Sequence, residues 1–163
     1  MGIHEDVGEL MQFFFKGMSR RWIAGAPKIT IDELPGAKAI TFEEGELRLV
    51  DAYWVNGRNS FGLTVIWRNV VPVWHMQCHG WYEERAIPVV NEALRRAYNR
   101  ERFEGGRGTS DTTNEDGSLR YMNDPDWLFW EFPKFHGSEG VQDRSGDLRL
   151  IGNYEYSGGL LIS

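Results

Sequence analysis

Trp74-His75-Met76-Gln77-Cys78-His79 gathers two imidazoles and the single thiol of the chain. Imidazole and thiolate are the ligands that tetrahedral zinc takes. A thiol with an imidazole in reach is also a usable nucleophile. Strand geometry separates these groups. His75, Gln77 and His79 fall on one face and Cys78 on the other. At ~3.3 Å per residue the two imidazoles stand roughly 13 Å apart, too far for one ion. Only His4 and His136 remain among the histidines, so neither a metal nor any other cofactor is expected. Cys78, flanked by Trp74 and Met76, reads as a buried thiol that packs as a small hydrophobe.

His136-Gly137-Ser138-Glu139 holds the groups of a hydrolytic site. However, His136 and Ser138 share one strand face while Glu139 takes the other, and no Gly-x-Ser-x-Gly elbow is present. Gly105-Gly106-Arg107-Gly108-Thr109-Ser110 has the look of a phosphate cradle. It lacks Gly-Lys-Ser/Thr and follows a helix, where a phosphate loop precedes one. A helix stop with a solvated Arg107 is the plain reading, and an anion on Arg107 is the functional one. Three carboxylates sit in strand-like sequence with aromatic neighbours: Glu131, Glu139 and Glu155. If buried, such a group must be paired or its pKa must rise, which makes these the acid or base candidates. The alternative is that each faces solvent on the outer side of a sheet.

The elements that must position these groups follow from periodicity. About Glu5 to Ile23 reads as a helix, with Leu10, Phe13, Phe14 and Met18 on one face. From Ala37 to Tyr82 the pattern is β. Leu47, Leu49 and Asp51 alternate with Arg48, Val50 and Ala52, and Asn56-Gly57 marks a hairpin. Phe61–Trp67 and Val73–Trp81 are the next strands. Pro88 to Tyr98 returns to helix with an apolar stripe from Val89 to Ala97. The polar run Thr109–Gly117 reads as a mobile loop. Strands are expected at Leu119–Met122, Trp127–Phe132, Phe135–Val141 and Leu148–Tyr156.

The two halves match. Gly45-Glu46-Leu47-Arg48-Leu49 answers to Gly117-Ser118-Leu119-Arg120-Tyr121, and Phe61-Gly62 to Phe135-His136-Gly137. The expected architecture is therefore α+β in one domain over 1–163. Two pseudo-repeats (about 5–82 and 84–163) would each supply a helix and three to four antiparallel strands. Together they would form one curved sheet or a partial barrel carrying two main helices.

Composition excludes several classes of function. The formal net charge of -6 argues against tracking a phosphate backbone. The arginines from Arg95 to Arg107 alternate with Glu92, Glu101 and Glu104 as on a salt-bridged helix face. One cysteine rules out an internal disulfide. The first residues lack the basic-then-apolar pattern of a signal peptide, and no run reaches the roughly 20 apolar residues of a membrane span. A cytoplasmic, non-membrane protein that does not bind nucleic acid by itself is the expectation. An aromatic content of 13% suits either core packing or an aromatic-lined pocket.

Phe135-His136-Gly137-Ser138-Glu139, the aromatic strand ending at Gly158-Gly159, and Phe103-Glu104-Gly105-Gly106-Arg107-Gly108 resemble a family of uncharacterised bacterial proteins with a Phe-x-Gly-x-Glu repeat. Some members carry the domain behind a helix-turn-helix module. The first half departs from the pattern, placing Thr64 where the second glutamate would stand. The resemblance names no reaction, and some members' place behind DNA-binding modules, with the aromatic load and the lack of a coherent catalytic set, motivates a sensor reading. The leading functional expectation is a non-catalytic small-molecule-binding domain with its pocket built from Glu139, His75, Trp74, Trp127, Tyr154 and Arg107. The alternatives are an enzyme using Glu139 or His75 as acid or base, and a homodimeric or partner-binding protein.

Overall fold

The computed structural model describes residues 6–161. The expected helix start at Glu5, and His4, lie outside that range. Helix α1 spans Val7–Trp22; the Asp6 side chain caps it by accepting the Gly8 and Glu9 amides. Four strands follow as a meander: β1 Lys38–Glu44, β2 Leu47–Asn56, β3 Asn59–Arg68 and β4 Val71–Tyr82. Helix α2, Ile87–Asn99, has Pro88 in its first turn, where no intrahelical amide is needed. The chain ends in a second meander of β5 Leu119–Glu131, β6 Lys134–Asp143 and β7 Arg149–Leu160.

The seven strands form a single antiparallel sheet in the order β1-β2-β3-β4-β7-β6-β5. It does not close, since β1 and β5 are its edges. The α+β class, the two helices and the open antiparallel sheet agree with the sequence expectation. One expected boundary does not hold. The two strands expected on either side of Asp124-Pro125 are one strand, β5, whose pairing with β6 shifts register between Pro125 and Trp130. An edge strand tolerates both a proline and a bulge.

Both helices pack on the same face of the sheet. Leu10, Phe14 and Met18 of α1, and Val90, Ala93 and Leu94 of α2, meet inward residues of the strands: Leu49, Ile66, Trp74, Met76 and Ile151. Phe14 lies at the centre, with its ring 5.2 Å from that of Trp74. The inner face of β4 carries Trp74, Met76, Cys78 and Tyr82, and the outer face His75, Gln77 and His79.

The segment expected to be a mobile loop is pinned. The Thr109 amide donates to the Ala93 carbonyl at 3.1 Å, and the Tyr121 amide to the Thr112 carbonyl at 2.8 Å. The Asn123 amide group donates to the Glu104 and Gly108 carbonyls at 2.8 and 2.9 Å. Thr112 is fully buried. Polar composition misled the reading because part of this polarity, at Thr112 and Asn114, serves internal hydrogen bonds, while Asp111, Glu115 and Asp116 face solvent.

Candidate functional site

A buried and a partly buried arginine–carboxylate pair stand on the helix-covered face. The first depends on a turn. After α2, Gly105 and Gly106 take φ of +65° and +70°, a left-handed pair that reverses the chain and delivers Arg107 over the sheet. Side chains would not fit there: a Cβ on Gly105 would run into the Tyr156 ring, and one on Gly106 would stand 2.6 Å from Met76 Sδ. The turn is held from both sides. Tyr98 donates its hydroxyl to the Gly106 carbonyl at 2.7 Å, and the Gly108 amide donates to the Tyr121 oxygen at 3.0 Å.

Gly105→Ala is therefore expected to lower the melting midpoint by about 10 °C, from left-handed strain plus the collision with Tyr156. Gly117→Ala, with φ +71° but open space around it, should lower it by about 3 °C. Equal shifts in differential scanning calorimetry would show that contact with Tyr156 is not what fixes the turn.

Arg107 meets Glu139 of β6. Its Nε donates to Oε2 at 3.0 Å and its Nη2 to Oε1 at 2.5 Å. Tyr82 donates its hydroxyl to Oε1 at 2.6 Å, and Tyr121 donates to Oε2. The Glu139 side chain is 0% exposed and that of Arg107 9%. Burial alone would lift the Glu139 carboxyl. The Arg107 charge and the four donated hydrogen bonds outweigh it, so the carboxyl is held below its ordinary range. Burial likewise opposes the Arg107 charge, and Glu139 more than restores it. Each carboxylate oxygen already accepts two bonds, which leaves Glu139 little capacity to take a proton from a substrate.

The second pair joins α1 to β2. Arg21 donates to Asp51 Oδ2, and the Thr64 hydroxyl donates to Oδ1 at 2.8 Å. The Arg21 guanidinium lies 4.4 Å from the Trp22 ring and 4.5 Å from the Tyr53 ring. Cys78 sits beside the first pair, its Sγ 3.9 Å from Arg107 Nη1. Burial raises the Cys78 pKa, partly offset by Arg107, so the thiol stays protonated.

A cavity of about 630 Å³ opens between these groups. The last turn of α1 and the first turns of α2 form its roof. Asp51, Gly62, Cys78 and Tyr82 supply its sheet floor, and Arg107 reaches it from the turn.

Several expected site residues lie elsewhere. His75 projects from the opposite sheet face to Glu139, so these two cannot share a substrate atom or a pocket. Trp74 is core: it is fully buried, and its indole donates to the Phe132 carbonyl at 3.0 Å. Trp127 is 80% exposed and borders a separate outer groove with His79, His136 and Glu155. There, His79 stands 3.8 Å from Glu155 and His136 3.7 Å from Asp126. Among the described residues no group of three His, Cys, Asp or Glu could hold a metal ion. Tyr154 does join Arg107 and Glu139, stacking on Tyr82 at 4.8 Å with the Arg107 guanidinium 5.6 Å from its ring. Arg107 is buried and paired rather than solvated. Of the three strand carboxylates, Glu139 is buried, whereas Glu131 and Glu155 are exposed.

Sequence reasoning missed Arg21, Asp51 and Tyr82. One signal was available, because Asp51 alternates in phase with Leu47 and Leu49. An acid on the apolar face of a strand requires a cation.

The fold and site together define an α+β domain with an open antiparallel sheet and a polar-floored cavity beneath two helices. Comparison with family models, with curated proteins and with solved structures finds no match for this chain. Among the described residues no helix is long and apolar enough to cross a membrane.

Proposed function

We propose that the protein is a non-catalytic binding domain that holds a small molecule in the cavity between its helices and sheet. The observation that carries this reading is the cavity itself. Its volume falls in the range of small-molecule sites, and its lining combines apolar side chains such as Met18, Trp22, Met76 and Leu94 with six charged ones. Acid–base catalysis is disfavoured by the full engagement of Glu139 and by the placement of His75 on the far face.

Glu139 is not the residue to mutate as a clean binding probe, although its position in sequence suggests it. Buried and bonded to three side chains, it supports the floor, so its replacement would disturb the fold together with the site.

The two halves also read as copies of one unit. In support, Asp51 pairs with Thr64 across β2 and β3, and Asn123 with Glu139 across β5 and β6. Gly62 and Gly137 each lie two residues before the second member. The last strands of the two meanders, β4 and β7, meet at the centre.

Native mass spectrometry of protein purified gently from cells, beside its denatured mass, tests the binding reading. The expected result is a non-covalent adduct that is lost on denaturation. A clean mass at all purification stringencies would count against a tightly held ligand.

A further inference from the structure

We infer that the occupant of this cavity is a small organic acid, its carboxylate placed on the free edge of Arg107 and its apolar body against Met18, Trp22, Met76 and Leu94. This rests on the binding reading above and assigns the ligand's class. The first ground is the unfinished bonding of Arg107. Nε and Nη2 are engaged by Glu139, while the partner of Nη1 is the Cys78 sulfur at 3.9 Å. Sulfur is a weak acceptor, and a guanidinium on a side chain only 9% exposed calls for an oxygen there. A carboxylate supplies it in the geometry that guanidinium groups favour.

The second ground is charge. Arg21, Lys28, Arg95 and Arg107 line the cavity against Asp51 and Glu92, with Glu139 directly behind Arg107. Asp51 is matched by Arg21, Glu92 by Arg95 and Glu139 by Arg107. Lys28 is left over. Among the described residues it has no carboxylate partner, and its ammonium lies 5.3 Å from the Tyr53 ring. The cavity thus carries one surplus positive charge within a chain of net charge -6, which favours a monoanion. Trp22 also lines the cavity, and its indole Nε1, covered by protein and without a hydrogen-bond partner among the described residues, reports on whatever seats against its ring.

The test is calorimetric titration of the full chain with phenylacetate, indole-3-acetate and octanoate, each beside its primary amide. At least one acid is expected to bind ten-fold or more tightly than its amide. Lys28→Met, at an exposed position, should weaken that acid at least three-fold. The Trp22 indole N–H resonance, assigned with Trp22→Phe, should shift on binding. Equal affinity for acid and amide overturns the assignment, as does binding that neither responds to Lys28→Met nor moves the Trp22 signal. If no acid binds while the native spectrum carries a retained mass, the acid class fails and the cavity reading stands. If no acid binds and the native spectrum is clean, both fail.

Discussion

Arg107→Met is expected to remove about 3–5 kcal/mol of folding stability, about 10 °C in melting midpoint. The reason is what it leaves behind. Glu139 is fully buried, and without the guanidinium its charge has only the Tyr82 and Tyr121 hydroxyls for company. The effect should depend on pH in a diagnostic direction. In the parent, Arg107 holds the Glu139 carboxyl below its ordinary value. That contribution is present above the unfolded pKa and is lost as pH falls through the folded one. In the variant, burial without a cation raises the carboxyl instead. The penalty is then absent below the unfolded pKa and grows as pH rises. Arg107→Met should therefore lie closest to the parent near pH 5 and furthest at pH 8. Arg107→Met/Glu139→Leu should recover part of the loss, because exchanging a buried pair for apolar groups is often near neutral. The two tyrosine hydroxyls left without an acceptor keep the recovery incomplete. Urea unfolding of the three proteins at both pH values measures this. A single variant within about 1 kcal/mol of the parent at pH 8 would show that the pair does not hold the floor.

Alkaline pH should unfold the protein steeply. Tyr82, Tyr98 and Tyr121 are buried, and burial lifts all three phenols above their ordinary value. The nearby Glu139 charge adds to the rise at Tyr82 and Tyr121. The unfolded chain ionises these groups near pH 10, whereas the folded chain keeps them protonated beyond it. The folded state thus binds more protons above pH 10, and stability falls as pH rises from there. At pH 11 each tyrosine withdraws about 1.4 kcal/mol, so the three together withdraw about 4 kcal/mol. That is a large share of the roughly 5–15 kcal/mol that stabilises an ordinary domain. Denaturant unfolding between pH 8 and pH 11, with phenolate absorbance followed in parallel, reads both sides of the linkage. Tyr154 and Tyr156 are buried and lifted in the same way, so Tyr82→Phe should reduce the slope by about one fifth. A stability that stays flat to pH 11 would mean these hydroxyls ionise as freely in the folded state as in the unfolded one.

The sequence alone determined both helices and most of the strands in their order, although it split β5 at Asp124-Pro125. Helical periodicity marked α1 and α2, and alternation with turn residues marked the strands, because these signals lie within a few residues of one another. It also separated His75 and His79 from Cys78, since a strand's period of two fixes opposite faces without reference to any partner. It singled out Glu139 as a carboxylate in apolar company. The tertiary structure decided which sheet face the helices cover, and with it the fate of every alternating residue. Trp74 became core, His75 went to the outer face and Asp51 went inward. It brought Arg21 to Asp51 across 30 positions and Arg107 to Glu139 across 32. Neither pairing is written in local spacing. An arginine in a glycine-rich turn is solvated or buried according to what the turn packs against, and here that is a strand made from residues much later in the chain. The cavity belongs to the same class of fact. It is the space left where two helices and an open sheet fail to meet, and only their packing in three dimensions determines its shape.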